Sequence, residues 1–67
     1  MKAVVSTACK KFNTKYKNKY LVNYFLYFDS YMVYMYDLKK NKFYKATVKE
    51  ENVTIEQLIK CFEIILI

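Results

Sequence analysis

The stretch from Tyr20 to Tyr36 holds most of the aromatic residues of this 67-residue chain. A chain of this length buries only a small core, so it is not expected to cover both faces of so apolar a segment by itself. Part of the aromatic surface is therefore expected to contact a partner. The stretch is also short and interrupted by Asn23, Asp29 and Ser30, which argues against a transmembrane helix.

Three strands are predicted from the pattern that begins at Tyr20. Residues 20–28 are β-branched and aromatic with few helix formers, residues 31–38 form the return strand, and residues 43–49 alternate as a half-exposed antiparallel strand does. Asp29 and Ser30 indicate a turn, but it lacks glycine, so we expect a slightly longer loop that includes flanking residues. Residues 39–42 form a second turn, in which Asn41 suits the left-handed conformation.

The two ends of the chain differ in pattern. Residues 2–8 are β-prone and predict a further short strand, followed by a loop over residues 9–19 in which Asn13 and Asn18 suit turns. The alternation at residues 15–17 could begin the next strand. Near the other end, Thr54 and Gln57 match a capping box, and the apolar residues after them follow a helical stripe. Residues 64–67 are apolar all round and fit either a helix end or an extended tail.

Together these segments predict an α+β fold. We expect one domain over residues 1–67, built as a small antiparallel three- to four-stranded meander with one C-terminal helix packed on one face.

Composition argues against most enzyme classes. The chain has no histidine and no glycine, which removes the usual general base, the commonest metal ligand and the glycine-rich phosphate loop. We therefore expect no catalytic residues, no metal and no cofactor. No signal peptide is recognised at the N-terminus, so Cys9 and Cys61 are interpreted as small core residues in the reducing cytoplasm, with a bridge between them as the alternative.

The basic residues are all lysine, and they are unevenly distributed. Residues 1–49 hold eleven lysines and two aspartates, whereas residues 50–67 hold one lysine and four glutamates. A second lysine group lies around the turn at residues 39–49. Such clusters suit an anionic partner, and they also serve solubility and protect sheet edges. The candidates for contact with an anionic partner are the densest group: Lys10, Lys11, Lys15, Lys17 and Lys19.

Tyrosine supplies the second set of candidate residues, because it is enriched in protein interfaces and also stacks on unpaired bases. It also forms cross-strand pairs within a sheet. The tyrosines expected to be exposed and to bind a partner are Tyr16, Tyr31, Tyr34, Tyr36 and Tyr44.

Two functions remain open from these residues. The first is a small non-enzymatic protein-interaction module, acting as a homodimer on a larger protein partner. All basic residues are lysine, and Asn, Ile, Tyr and Phe are frequent, as in proteins encoded by AT-rich genes. This composition suggests an accessory protein or inhibitor from a virus, phage or mobile element. The alternative is a nucleic-acid-binding protein whose lysines contact phosphates while its tyrosines stack on bases.

Overall fold

A computed structural model describes residues 3–67 and shows five elements in an αβββα order. The strands form one antiparallel meander of order β1-β2-β3. The α+β class is confirmed, with three strands and two helices. The elements are α1 (Val4–Lys15), β1 (Tyr20–Tyr27), β2 (Ser30–Asp37), β3 (Lys42–Val48) and α2 (Ile55–Leu66).

The N-terminal helix corrects the prediction of a strand over residues 2–8 and a loop over residues 9–19. Residue 2 lies outside the described part of the chain, and α1 occupies residues 4–15, so no strand starts at residues 15–17. The buried residues Val5, Ala8, Cys9 and Phe12 recur at helical spacing. Burying this stripe outweighs the weak helix preference of the valines and threonine. The fold therefore has two helices instead of the single C-terminal one.

The first helix is capped by a distant carboxylate. Its N-cap residue, Ala3, offers no side-chain acceptor, and instead Glu50 accepts a hydrogen bond from the Val5 N–H at 3.0 Å. A negative charge at this position also interacts favourably with the helix dipole. Glu50 follows β3, so this contact ties the start of α1 to the end of the sheet.

Both helices pack on the same face of the sheet. Alternate strand residues Val22, Val33 and Met35 are buried there in one cluster with residues of α1 and α2. Phe12 is fully buried at the centre, and its ring meets that of Phe62 edge-on at 5.6 Å between centroids. One face of the sheet is thus the core, and neither helix of the described part of the chain lies on the opposite face.

The second helix agrees with its prediction. The Thr54 hydroxyl accepts from the Gln57 N–H at 3.1 Å, and the Gln57 side chain accepts from the Thr54 N–H at 2.9 Å, which completes the capping box. The helix continues to Leu66, so the alternative of an extended tail at residues 64–67 does not hold.

The two hairpin turns differ in how well the sequence predicted them. Between β2 and β3, Asn41 has φ 55°, as expected, and the Asp37 carboxylate accepts from the N–H groups of Lys39 and Lys40 at 3.1 and 3.0 Å. Between β1 and β2 the loop has only two residues, Phe28 and Asp29, so the expected longer loop is wrong. Phe28 takes φ 57°, a conformation that costs a residue with a Cβ about 1 kcal/mol.

We predict that Glu50→Ala lowers the free energy of unfolding by about 1 kcal/mol, because α1 loses its only described N-terminal cap. The matched control is Glu51→Ala, since Glu51 is exposed and forms no hydrogen bond or ion pair within residues 3–67. Urea unfolding of both variants measures the difference. Equal stability of the two would show that the Glu50 contact contributes nothing.

We also predict that Phe28→Gly raises the free energy of unfolding by up to about 1 kcal/mol, because glycine adopts positive φ without strain. Asp29→Gly in the same loop should lower it, since Asp29 has no positive φ to relieve. Thermal unfolding followed by circular dichroism compares the two. A loss of stability in Phe28→Gly would contradict the assigned backbone strain.

Candidate functional site

The sheet face without helices carries a continuous aromatic surface. We name it the open face. The most exposed aromatic residue on this face is Phe43 on β3, at 60% exposure, and Phe25 on β1 is 46% exposed. Strand alternation and the pairing register assign this face eleven residues: Leu21, Asn23, Phe25, Tyr27, Ser30, Met32, Tyr34, Tyr36, Phe43, Lys45 and Thr47.

Ring contacts hold the aromatic residues of the open face in place. Phe25 stacks on Tyr34 with 5.5 Å between centroids and 23° between planes. Tyr36 and Phe43 are direct cross-strand partners, and their ring centroids lie 5.9 Å apart. Such pairs restrict the side-chain rotamers before any partner arrives, which lowers the entropy cost of binding.

The end of the β1–β2 hairpin extends beyond the helices. Along the core face of β1, exposure rises from 1% at Val22 to 41% at Tyr24 and 62% at Leu26, and the turn residue Phe28 is 84% exposed. We name Tyr24, Leu26, Tyr27 and Phe28 the apolar tip. The helices cover the part of β1 near Val22 but do not extend to its tip. The same face of the strand is therefore buried at one end and exposed at the other.

The two edges of the sheet are protected to different degrees. At β1, the Asn13 side chain donates to the Val22 carbonyl at 2.9 Å and accepts from the Val22 N–H at 2.7 Å, as a neighbouring strand would. In an antiparallel pair the backbone groups alternate between the two sides, so those of Tyr24 and Leu26 also point away from β2. Beyond Asn13, no residue of the described range 3–67 forms a hydrogen bond with these groups of Tyr24 and Leu26. β1 contains no charged residue, whereas β3 carries Lys42 and Lys45.

The structure separates the five tyrosines predicted to bind a partner. Tyr34 and Tyr36 lie on the open face, whereas Tyr31 and Tyr44 lie on the face that the helices cover. Only Tyr44, at 41% exposure, is an exposed residue; the other four are half-buried. The expectation that Tyr16 is exposed is wrong, because its ring packs against the core.

Tyr16 belongs to a polar contact that joins the two helices. Its hydroxyl donates to a Glu63 carboxylate oxygen, which also accepts from the Lys15 ammonium at 2.9 Å. The hydrogen bond from Tyr16, followed by that from Lys15, lowers the pKa of Glu63 below its usual 4.5. The same hydrogen bond raises the pKa of Tyr16. Lys15 and Tyr16 thus have a structural role between α1 and α2.

The predicted lysines lie on the helix side of the molecule. Lys10, Lys11 and Lys15 are exposed on α1 and, with Thr14, line a shallow groove of about 410 Å³. Lys17 and Lys19 are exposed in the turn that follows α1. Because α1 covers the core face of the sheet, its lysines and the open face point in different directions. Of the eleven residues on the open face, only Lys45 is basic.

Two lysine groups that are distant in sequence meet at one end of the sheet. The Leu38 N–H donates to the Lys19 carbonyl at 3.1 Å, which joins the turn after α1 to the β2–β3 turn. Lys19, Lys39 and Lys40 line a cavity of about 290 Å³ there. The β1–β2 turn is at the opposite end of the strands. The molecule therefore has a basic end and an apolar tip.

The cysteines occupy different environments. Burial raises the pKa of the Cys9 thiol to about 11, so little thiolate exists at neutral pH. Cys61 is exposed, which corrects its interpretation as a core residue, and both thiols are free. Within residues 3–67, no three Cys, Asp or Glu side chains come together as metal ligands would. No helix in this part of the chain has the length and apolar character needed to span a bilayer.

Sequence reasoning did not single out several of the exposed apolar residues of the open face and the tip. Leu21, Phe25, Tyr27 and Phe43 share the open face, and Phe28 forms the tip. The alternation had grouped the strand residues by face, but it did not show which face the helices would cover. The contact of Asn13 with Val22 had no signal in sequence, because it depends on the unexpected α1.

Comparison with known proteins finds no relative of this chain. No family model matches the chain, and no curated protein and no solved structure shows significant similarity to it.

We predict that the Lys15–Tyr16–Glu63 contact gives the protein an acid-sensitive stability. Because the folded-state pKa of Glu63 is lowered, its stabilising effect is complete above the usual 4.5 and is lost as the pH falls through the folded value. Glu63→Gln should therefore weaken the dependence of the unfolding midpoint on pH in this acid range. The control is Glu56→Gln on the same helix, since Glu56 is exposed. Identical acid profiles for wild type and Glu63→Gln would contradict the prediction.

Proposed function

We propose that this protein is a non-enzymatic interaction module whose open face binds another protein. The observation that carries the proposal is the set of seven apolar side chains on a sheet face without a covering element. Contiguous exposed apolar patches on small proteins mark interaction sites. The seven are Leu21, Phe25, Tyr27, Met32, Tyr34, Tyr36 and Phe43.

The composition of the open face supports a protein partner. Tyrosine, phenylalanine and methionine are enriched in protein interfaces, where a few aromatic side chains supply most of the binding energy. The stacked pair of Phe25 and Tyr34 offers a rigid contact, and Phe43 at 60% exposure offers an anchor for a pocket on the target. Thr47 and Asn23 at the margins supply hydrogen-bonding groups.

The distribution of charge favours a protein over a nucleic acid. A single-strand binder combines stacking aromatic residues and phosphate-binding cations on one surface. The lysines of α1 face away from the open face, and the chain lacks the arginine that binds phosphate and guanine in a bidentate manner. The lysines instead suit long-range attraction to an acidic target, which raises the rate of association.

We further propose a reducing compartment, the cytoplasm, as the place of action, because both cysteines are free thiols. An accessory protein or inhibitor acts by occupying a surface of a larger protein, and a small rigid aromatic face is suited to that role. The lysine-rich, AT-rich style of the sequence supports an origin in a virus, phage or mobile element.

Site-specific photocrosslinking in the source cell tests the open face. A photoreactive phenylalanine analogue at Phe43 should give a discrete protein adduct, because Phe43 lies within the proposed contact. The same analogue at Lys11 is the matched control, since Lys11 is also exposed but lies on α1. Adducts from Lys11 alone, or the same adducts from both positions, would contradict the proposal.

We predict that the purified protein binds nucleic acid weakly and only at low salt. Titration against single- and double-stranded DNA and RNA over a range of salt concentrations measures this, because phosphate contacts release counterions and weaken steeply with salt. Tight binding at physiological salt that is lost when Lys10, Lys11, Lys15, Lys17 and Lys19 are replaced by glutamine would favour the nucleic-acid function instead.

A further inference from the structure

The free edge of β1 is bounded at both ends. At one end the Asn13 amide occupies both hydrogen-bonding groups of Val22, so no strand can pair there. At the other end the chain turns at Phe28 and Asp29. Between these limits only Tyr24 and Leu26 offer outward-facing backbone groups, and Phe25 lies midway between them.

We propose that two copies of the chain pair antiparallel through this free edge, about a two-fold axis at Phe25. Tyr24 then lies opposite the partner's Leu26, and Leu26 lies opposite the partner's Tyr24. This register uses all four free donors and acceptors on each copy. The alternative registers, centred on Tyr24 or Leu26, each leave one of these residues facing a blocked position or a turn.

The register also fits the positions at which the free edge of each copy ends. A two-fold axis at Phe25 brings Phe28 opposite the partner's Val22, where the Asn13 contact already prevents further strand pairing. The hairpin turn of one copy therefore begins at the position where Asn13 blocks the edge of the other copy. A groove of about 340 Å³ lies at this position between α1 and β1, lined by residues that include Cys9, Lys10 and Val22. Phe28, which is 84% exposed, is placed to enter it.

Charge supports a second copy over a foreign strand at this edge. β1 carries no charged side chain, so two copies meet there without repulsion. The Asp29 carboxylate in the turn lies 3.8 Å from the Lys49 ammonium but stays exposed, and the groove that the turn approaches is lined by the exposed Lys10. Asp29 can add a contact with the partner's Lys10 only when the two copies run antiparallel. On β3, the free edge carries Lys45 and is protected from the same pairing.

Pairing covers surface that the folded chain leaves in water. On the core side of the sheet, Tyr24 at 41% exposure and Leu26 at 62% contact their counterparts directly across the axis. The two sheets become one sheet of six strands, and their open faces become continuous. The inference goes beyond the proposed function, because it holds whatever target the open face binds.

Sedimentation equilibrium from low micromolar to near-millimolar concentration tests the dimer. The wild-type chain should reach the mass of two copies, and Leu26→Lys should remain a monomer because it places like charges beside a shared apolar edge. Thr47→Lys, on the exposed edge strand β3, is the control and should dimerise as wild type does. Circular dichroism confirms that each variant is folded. A wild-type monomer throughout, or a dimer unaffected by Leu26→Lys, would overturn the proposal.

Disulfide trapping tests the register independently. Residues at position 25 form a non-hydrogen-bonded pair across the axis, with Cα atoms about 4.5 Å apart, which a disulfide can span. In a Cys61→Ser background, Phe25→Cys should give a covalent dimer on mild oxidation. Asn23→Cys should not, because position 23 lies opposite position 27. Equal trapping of both variants, or trapping of Asn23→Cys alone, would overturn this register. Crosslinking at Phe43 on β3 reports on the open face separately, so the two proposals fail independently.

Discussion

The limited area that two short helices can cover determines the rest of this structure. Each helix has twelve residues and is about 18 Å long, whereas the eight-residue strands of the β1–β2 hairpin extend to about 27 Å. Both helices lie on the same face, where Phe12 and Phe62 meet at the centre of the core. The opposite face and the end of the hairpin therefore remain exposed, although most of their side chains are aromatic or aliphatic.

The exposed basic and apolar surfaces lie in different parts of the molecule. The basic turns with Lys19, Lys39 and Lys40 meet at one end of the sheet, and the tip with Phe28 lies at the other. The open face extends between them. The asymmetry suits a module in which lysines attract an acidic target, the open face binds it, and the tip contacts a second copy. Asn13 links these features, because its double contact with Val22 limits which part of β1 can pair.

The sequence predicted the elements whose signals are local. The capping box at Thr54 and Gln57, the left-handed Asn41 and the alternation of all three strands depend on neighbouring residues, and the structure confirms them. The N-terminal helix was missed, since its valines favour strands in isolation, whereas in the folded chain Val5 is buried with Ala8, Cys9 and Phe12 in the core cluster. The aromatic face was grouped correctly, but its exposure depends on where both helices pack. Phe28 in a two-residue turn contradicts turn preferences, because a residue with a Cβ adopts a positive φ there.

Amide hydrogen exchange measured by NMR at low and high protein concentration tests the central claim most directly. The account predicts that the Val22 amide is protected at every concentration, because Asn13 accepts from it. It predicts that the Tyr24 and Leu26 amides exchange rapidly in dilute protein and become protected as the concentration rises. Protection of Tyr24 and Leu26 in the dilute monomer would contradict it, because their amides would then have partners within one chain. Rapid exchange at Val22 would also contradict it, because Asn13 would then not accept from the Val22 N–H.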